Sequence, residues 1–173
     1  MTEACGVSRI DCGVGTSVDT AILTGGTGGP INLNNGGWCA WNIDDLLAEA
    51  IRGDDLLIPG ADRVLARDRY LDRVDASVQM VFDGNVDQNG GSHAPLDVMG
   101  GLEINRRTFI AAAVTPPASP ATFTLDLTVA DGTVLTGPLH CEGFTWARHE
   151  IQGMARAVWR VSLPLGLVEA GSS

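Results

Sequence analysis

The sequence predicts a mainly β, α+β fold: a β-sandwich or partly closed barrel with one flanking helix. Three stretches predict it. Residues 73–82, 122–129 and 155–163 each alternate apolar and polar side chains. A period of two marks a strand with one face in a core and the other outside it. Helical spacing appears in two places, one early and one in the middle. Packing antiparallel strands against a helix is the simplest way to bury all these faces.

The first 37 residues are glycine-rich and read as an N-terminal arm, with one short strand at 18–24. Glycine at this density favours turns over regular elements. Gly13-Val14-Gly15-Thr16-Ser17-Val18 lacks the third glycine of a dinucleotide fingerprint and follows no strand, so it is no phosphate loop. Trp41 to Gly53 is expected to be a short helix. Asn42 suits its N-cap, Asp44 and Asp45 its first turn and Gly53 its stop, with Ile43, Leu46, Leu47, Ala50 and Ile51 on the apolar face. The same glycine accounts for the Arg52-Gly53-Asp54 tripeptide. Leu56-Leu57-Ile58 is a brief strand before the Pro59-Gly60 turn.

In 73–82 the apolar set is Val74, Ala76, Val78, Met80 and Phe82. Residues 83–95 form a loop with turn signals at Asp83-Gly84 and Asn89-Gly90. Residues 96–114 are helical in pattern, although Gly100-Gly101 weakens the first half. A proline-rich connector precedes the last strands. Phe123, Leu125, Leu127 and Val129 share a face, and Asp131-Gly132 makes a tight hairpin into Val134-Leu135. Strands follow at 139–148 and 155–163. The expected organisation is an arm at 1–37, a β domain at 38–168 and a polar tail at 169–173.

Charge narrows the function. The net charge is −10, and all eleven basic residues are arginine. Without lysine there is no P-loop and no Schiff-base chemistry. Sequence-reading contact with nucleic acid is disfavoured, because neutralising phosphates dominates such affinity. Only 18% of residues are charged, which leaves much uncharged surface for contact with partner subunits. Cys5, Cys12, Cys39 and Cys141 fit no zinc spacing and read as free thiols, with a local Cys5–Cys12 disulfide the alternative. The sequence shows no signal peptide and no apolar run long enough to span a membrane.

No catalytic constellation is visible. His93 lies beside Ser92 in a glycine-rich loop, and triad partners meet through the fold rather than as sequence neighbours. His140, Cys141 and Glu142 alternate across a strand. Asp44-Asp45 and Asp54-Asp55 suit a helix start and a turn. Asp83, Asp87 and Asn89 read as turn chemistry, short of the ligands an EF-hand needs. A non-enzyme without cofactor or metal is expected.

The order of several local features resembles a known family. The features are Arg52-Gly53-Asp54-Asp55-Leu56-Leu57-Ile58-Pro59-Gly60-Ala61-Asp62, then a strand ending Phe82-Asp83-Gly84-Asn85-Val86-Asp87. After them come Gly101-Leu102-Glu103-Ile104-Asn105, the Asp131-Gly132-Thr133 hairpin and a close at Leu163-Pro164-Leu165-Gly166. The series resembles small tail-tube-like or minor tail proteins of long-tailed, non-contractile phages infecting actinobacteria, over residues 38–166. The resemblance implies a phage tail-tube-like fold, a virion location, and subunits forming rings, usually hexameric, around passing DNA, with other tail proteins as partners. Tube, distal hub, tail terminator and head–tail connector share that fold; tube or hub is the favoured station.

On that reading Asp75, Ser77, Gln79, Thr124 and Asp126 are the expected bore residues, with acids letting DNA slide without sticking. Arg106, Arg107, Arg156 and Arg160 are expected at subunit seams, opposite carboxylates of a neighbour. Trp38 and Trp41 are expected interface anchors, and Trp159 a core residue. The alternative from another class is a tail-tip β-sandwich binding carbohydrate or a host surface.

Overall fold

The computed structural model describes residues 17–34, 36–47, 51–57, 64–71, 73–117, 122–151 and 153–171, and for 51–57, 64–71 and 148–151 the backbone alone. The Pro59-Gly60 turn, Ala118-Ser119-Pro120, Cys5, Cys12, the arm before Ser17 and the last two residues lie outside this set.

Ten strands occur in chain order: β1 (Val18–Thr24), β2 (Ile31–Asn32), β3 (Trp38–Ala40), β4 (Ile51–Leu57), β5 (Val64–Leu71), β6 (Val74–Asp83), β7 (Phe123–Val129), β8 (Val134–Ile151), β9 (Met154–Leu163) and β10 (Val168–Glu169). Helix α1 (Val98–Phe109) precedes β7 and runs on into one π-helical turn, Ile110–Val114. Eight strands form one antiparallel sheet in the order β2-β1-β7-β8-β9-β6-β3, with β10 beside β8. The long β8 makes this possible. Its first part pairs with β7 from Val134 to Leu139, and its second pairs with β9 from His140 onward.

The sheet curls until its ends meet. The Leu33 N–H bonds to the Ala21 carbonyl at 2.8 Å, and the Ala40 N–H to the Leu33 carbonyl at 3.0 Å. The Trp38 indole N–H adds a bond to the Asn32 carbonyl at 2.9 Å. Of the two packings expected, the chain takes the partly closed barrel. Closure satisfies strand edges that would otherwise recruit other chains.

The core is the concave face. Val18, Ala21 and Leu23 meet Phe123, Leu125, Leu127, Leu139, Trp159, Val161, Val78, Met80 and Phe82 there. Phe109 of α1 enters an aromatic cluster, 5.4 Å from Phe82, 5.6 Å from Trp38 and 5.6 Å from Trp159, mostly edge to face. The expected boundary at residue 37 therefore does not divide the fold. From Val18 onward the expected arm contributes β1 and β2 to the sheet, with β1 paired along the edge of β7.

Two further expectations are corrected. The early helix shrinks to a 3-10 turn, Ile43–Leu47, and residues from Ile51 belong to β4. Asn42 does not cap that turn with its side chain. Its Oδ1 accepts the Gln79 N–H at 2.6 Å and its Nδ2 donates to the Ser77 carbonyl at 3.0 Å, extending the β3–β6 ladder by one side chain. The Gly53 stop is instead an irregularity in the β4–β5 pairing, between Arg52 and Asp54. In the middle helix Gly101 is a close approach: a Cβ there would lie 1.9 Å from the Gly84 carbonyl oxygen.

Candidate assembly surface

The convex face of the sheet collects most of the residues singled out from the sequence. Register settles this, since cross-strand partners share a face. Asp75, Ser77 and Gln79 of β6 pair with Ser162, Arg160 and Val158 of β9. Those pair in turn with His140, Gly143 and Thr145 of β8. Thr124 and Asp126 of β7 pair with Pro138 and Thr136 of the same β8 face. All five expected bore residues therefore lie on one continuous surface. Arg156, opposite Val81, belongs to it as well.

The charge of that surface is mixed. Asp75, Asp126 and Glu142 stand against Arg73, Arg156 and Arg160. Arg73 bridges Asp75 at 2.6 Å and Glu142 at 3.1 Å, and the Ser162 hydroxyl donates to Glu142 at 2.7 Å. The hydrogen bond that Arg73 donates to Asp75 raises the Arg73 pKa further above its already high value. An acid-lined face is thus not what this sheet presents.

Arg156 and Arg160 are exposed and, among the described residues, have no ion-pair partner. The Arg160 guanidinium lies flat over Gly143, where a Cβ would come within 2.7 Å of Nη2. The irregular pairing of β8 between Cys141 and Gly143 gives it that place.

The other pair of arginines is engaged within its own helix. Arg106 holds Glu103 through Nε at 2.9 Å and Nη2 at 2.7 Å, and Arg107 Nε adds a bond at 2.8 Å. The spacings are i,i+3 and i,i+4, where helix neighbours meet. Hydrogen bonding from Arg106 above all, with Arg107 adding to it, lowers the Glu103 pKa to about 2.

Trp38, expected as an interface anchor, is fully buried in the aromatic cluster. Trp41, three residues on, is 63% exposed. Trp159 is core, as expected. Cys39 is also corrected, from free thiol to disulfide-bonded, its partner outside the described residues. Cys141 is free and half-buried, and burial raises its pKa.

Sequence reasoning missed Asn105. Its buried Nδ2 donates to the carbonyls of Asp83 and Val86 at 2.8 Å each, and to that of Gly37 at 3.4 Å. Its Oδ1 faces His93 Nε2 at 2.9 Å, so that nitrogen carries the proton. His93 thus belongs to a structural lock between loop, helix and β3. Asp87 accepts N–H bonds from Asn89 and Gly91, which is turn chemistry. Both oxygens of Asp44 take the Ser17 N–H. No described group of His, Cys, Asp and Glu is arranged to hold a metal, and no described helix is long and apolar enough to cross a membrane.

The β4–β5 hairpin stands apart as its own two-stranded sheet. Leu56 pairs with Leu65 and Leu57 with Val64.

No protein-family model and no curated protein matches the chain. Among solved structures it is similar to a chain in the tail of an empty GTA particle, determined by helical refinement with C6 symmetry. The identity is 12% and the TM-score 0.45, over 91% of this chain and 98% of that one. Those values describe a loose likeness.

Proposed function

We propose that this chain is a structural subunit of a phage tail that works by assembling with copies of itself into rings around the DNA path, in the tube or its distal hub. The observation that carries the reading is the β4–β5 hairpin. A two-stranded hairpin alone is marginal in water. This one pairs Leu56 with Leu65 and Leu57 with Val64 and shares no sheet with the other described strands. Strands with adjacent apolar residues suit burial on both sides, and another subunit is the cover that an assembling protein supplies. The exposed Trp41 is the kind of residue that anchors interfaces. The order of motifs from Arg52 to Gly166 supports the tail assignment, and a terminator or connector ring remains the neighbouring station.

The test is light scattering over a concentration series, with electron microscopy of the same sample. Rings or short tubes with a central hole are expected. A chain that stays monomeric at every concentration would overturn the reading.

A further inference from the structure

We infer that copies of this chain meet head to tail, the acidic end of one docking on the Arg156–Val158–Arg160 strip of the next. The inference rests on the assembly reading above and names the surfaces it uses.

The strip lies on the convex face of β9. Arg156 and Arg160 flank Val158, which is 39% exposed. Both guanidiniums are exposed and without an ion-pair partner among the described residues, on a chain whose net charge is −10. The chain's own acids nearby do not neutralise them: Glu142 and Asp75 are taken by Arg73. The Arg160 guanidinium lies against the bare backbone at Gly143.

The complementary charge gathers where β1 begins and β7 ends. Ser17 is its hub. The Ser17 N–H is held by Asp44, and the Ser17 carbonyl accepts the Ala130 N–H at 2.9 Å. This places Asp19, Asp44 and Asp131 round one end of the barrel, and Asp19 and Asp131 are exposed. Hydrogen bonding from Thr133 lowers the Asp131 pKa, so its charge persists in mild acid.

Among the described residues no ion pair joins the two charge sets within one copy. A second copy in the same orientation brings them together. Such a contact uses two different surfaces, so it propagates into a closed ring or an open stack rather than stopping at a dimer.

The test is charge exchange in the full chain. Arg156→Glu with Arg160→Glu should raise the concentration needed for assembly at least tenfold, and Asp19→Arg with Asp131→Arg should do the same. All four changes in one chain restore complementarity and should restore assembly. Thermal melting of each variant monitors folding; where Asp131→Arg unfolds the turn, Asp19→Arg with the arginine pair carries the test.

If the wild type assembles and the Arg156/Arg160 variant assembles equally well, this inference falls and the assembly reading stands. If the wild type never assembles, both fall. If the arginine variant assembles normally but releases duplex DNA that the wild type retains, the strip faces nucleic acid and the inference is overturned.

Discussion

Asn105 ties three carbonyls that belong to a strand, a turn and a loop, and that of Gly37 also accepts the Asp83 N–H at 2.8 Å. Asn105→Ala takes the side-chain donor from the buried Asp83 and Val86 carbonyls. It should lower stability by about 3 kcal/mol, read from denaturant unfolding. Gly101→Ala should cost about 2–3 kcal/mol, since its methyl meets fixed backbone at Gly84 rather than a movable side chain. Glu103 predicts a small pH effect. Its folded pKa is depressed from 4.5 to about 2, so the stabilisation is full above 4.5 and fades as pH falls towards 2. The pair is largely solvated, so the effect should be only about 0.5 kcal/mol. Glu103→Gln should remove that slope between pH 4.5 and 2 in a melting series. Neither Asn105 nor Trp38 announced its role in the sequence. A single polar residue in a helix and a tryptophan among glycines have no period that assigns them a side.

At the scale of elements, the hairpin separates folding from assembly. Ile51 and Leu71 are paired partners at its base, so a short Gly-Gly link can replace what lies between. Removing the hairpin should leave the barrel's melting temperature within a few degrees of the original and abolish higher-order species in light scattering. A barrel that fails to fold without it would assign the hairpin to the core instead. Of the strands that sequence reading located well, β6, β7 and β9 alternate over most of their length because one face of each is buried, and β1 was found as an apolar stretch between glycines. β2, β3 and β10 have two or three residues each, too few to show a period. The early helix was misread because its local signals were sound but tertiary partners used them otherwise: Asn42 serves β6, and Ile51 pairs with Leu71. For the surface, period gave the outward set on β6 and β7. It did not reveal that β9 adds Arg156 and Arg160 to the same face, because that depends on register between strands far apart in sequence.

For the whole molecule, the separation of charge predicts how assembly responds to salt. Raising ionic strength from about 0.01 to 1 M shortens the screening length from about 30 to 3 Å. The concentration needed for self-association should rise over that range, measured by sedimentation, and an unchanged value would argue for purely apolar docking through the hairpin. The closure of the sheet also bears on how the chain comes into being. The bond that shuts the barrel joins Leu33 to Ala40, residues nearly adjacent in sequence, but it closes a ring of strands only once β1 has found β7, with Ala21 opposite Leu127. At about 5–20 residues per second, translation keeps β1 waiting roughly 5–20 s for that partner. Until then Val18, Ala21 and Leu23 have no cover from β7. Nascent chains halted before Phe123 should accordingly be cut by protease where the finished chain resists. The bond nearest in sequence is among the last to matter in time.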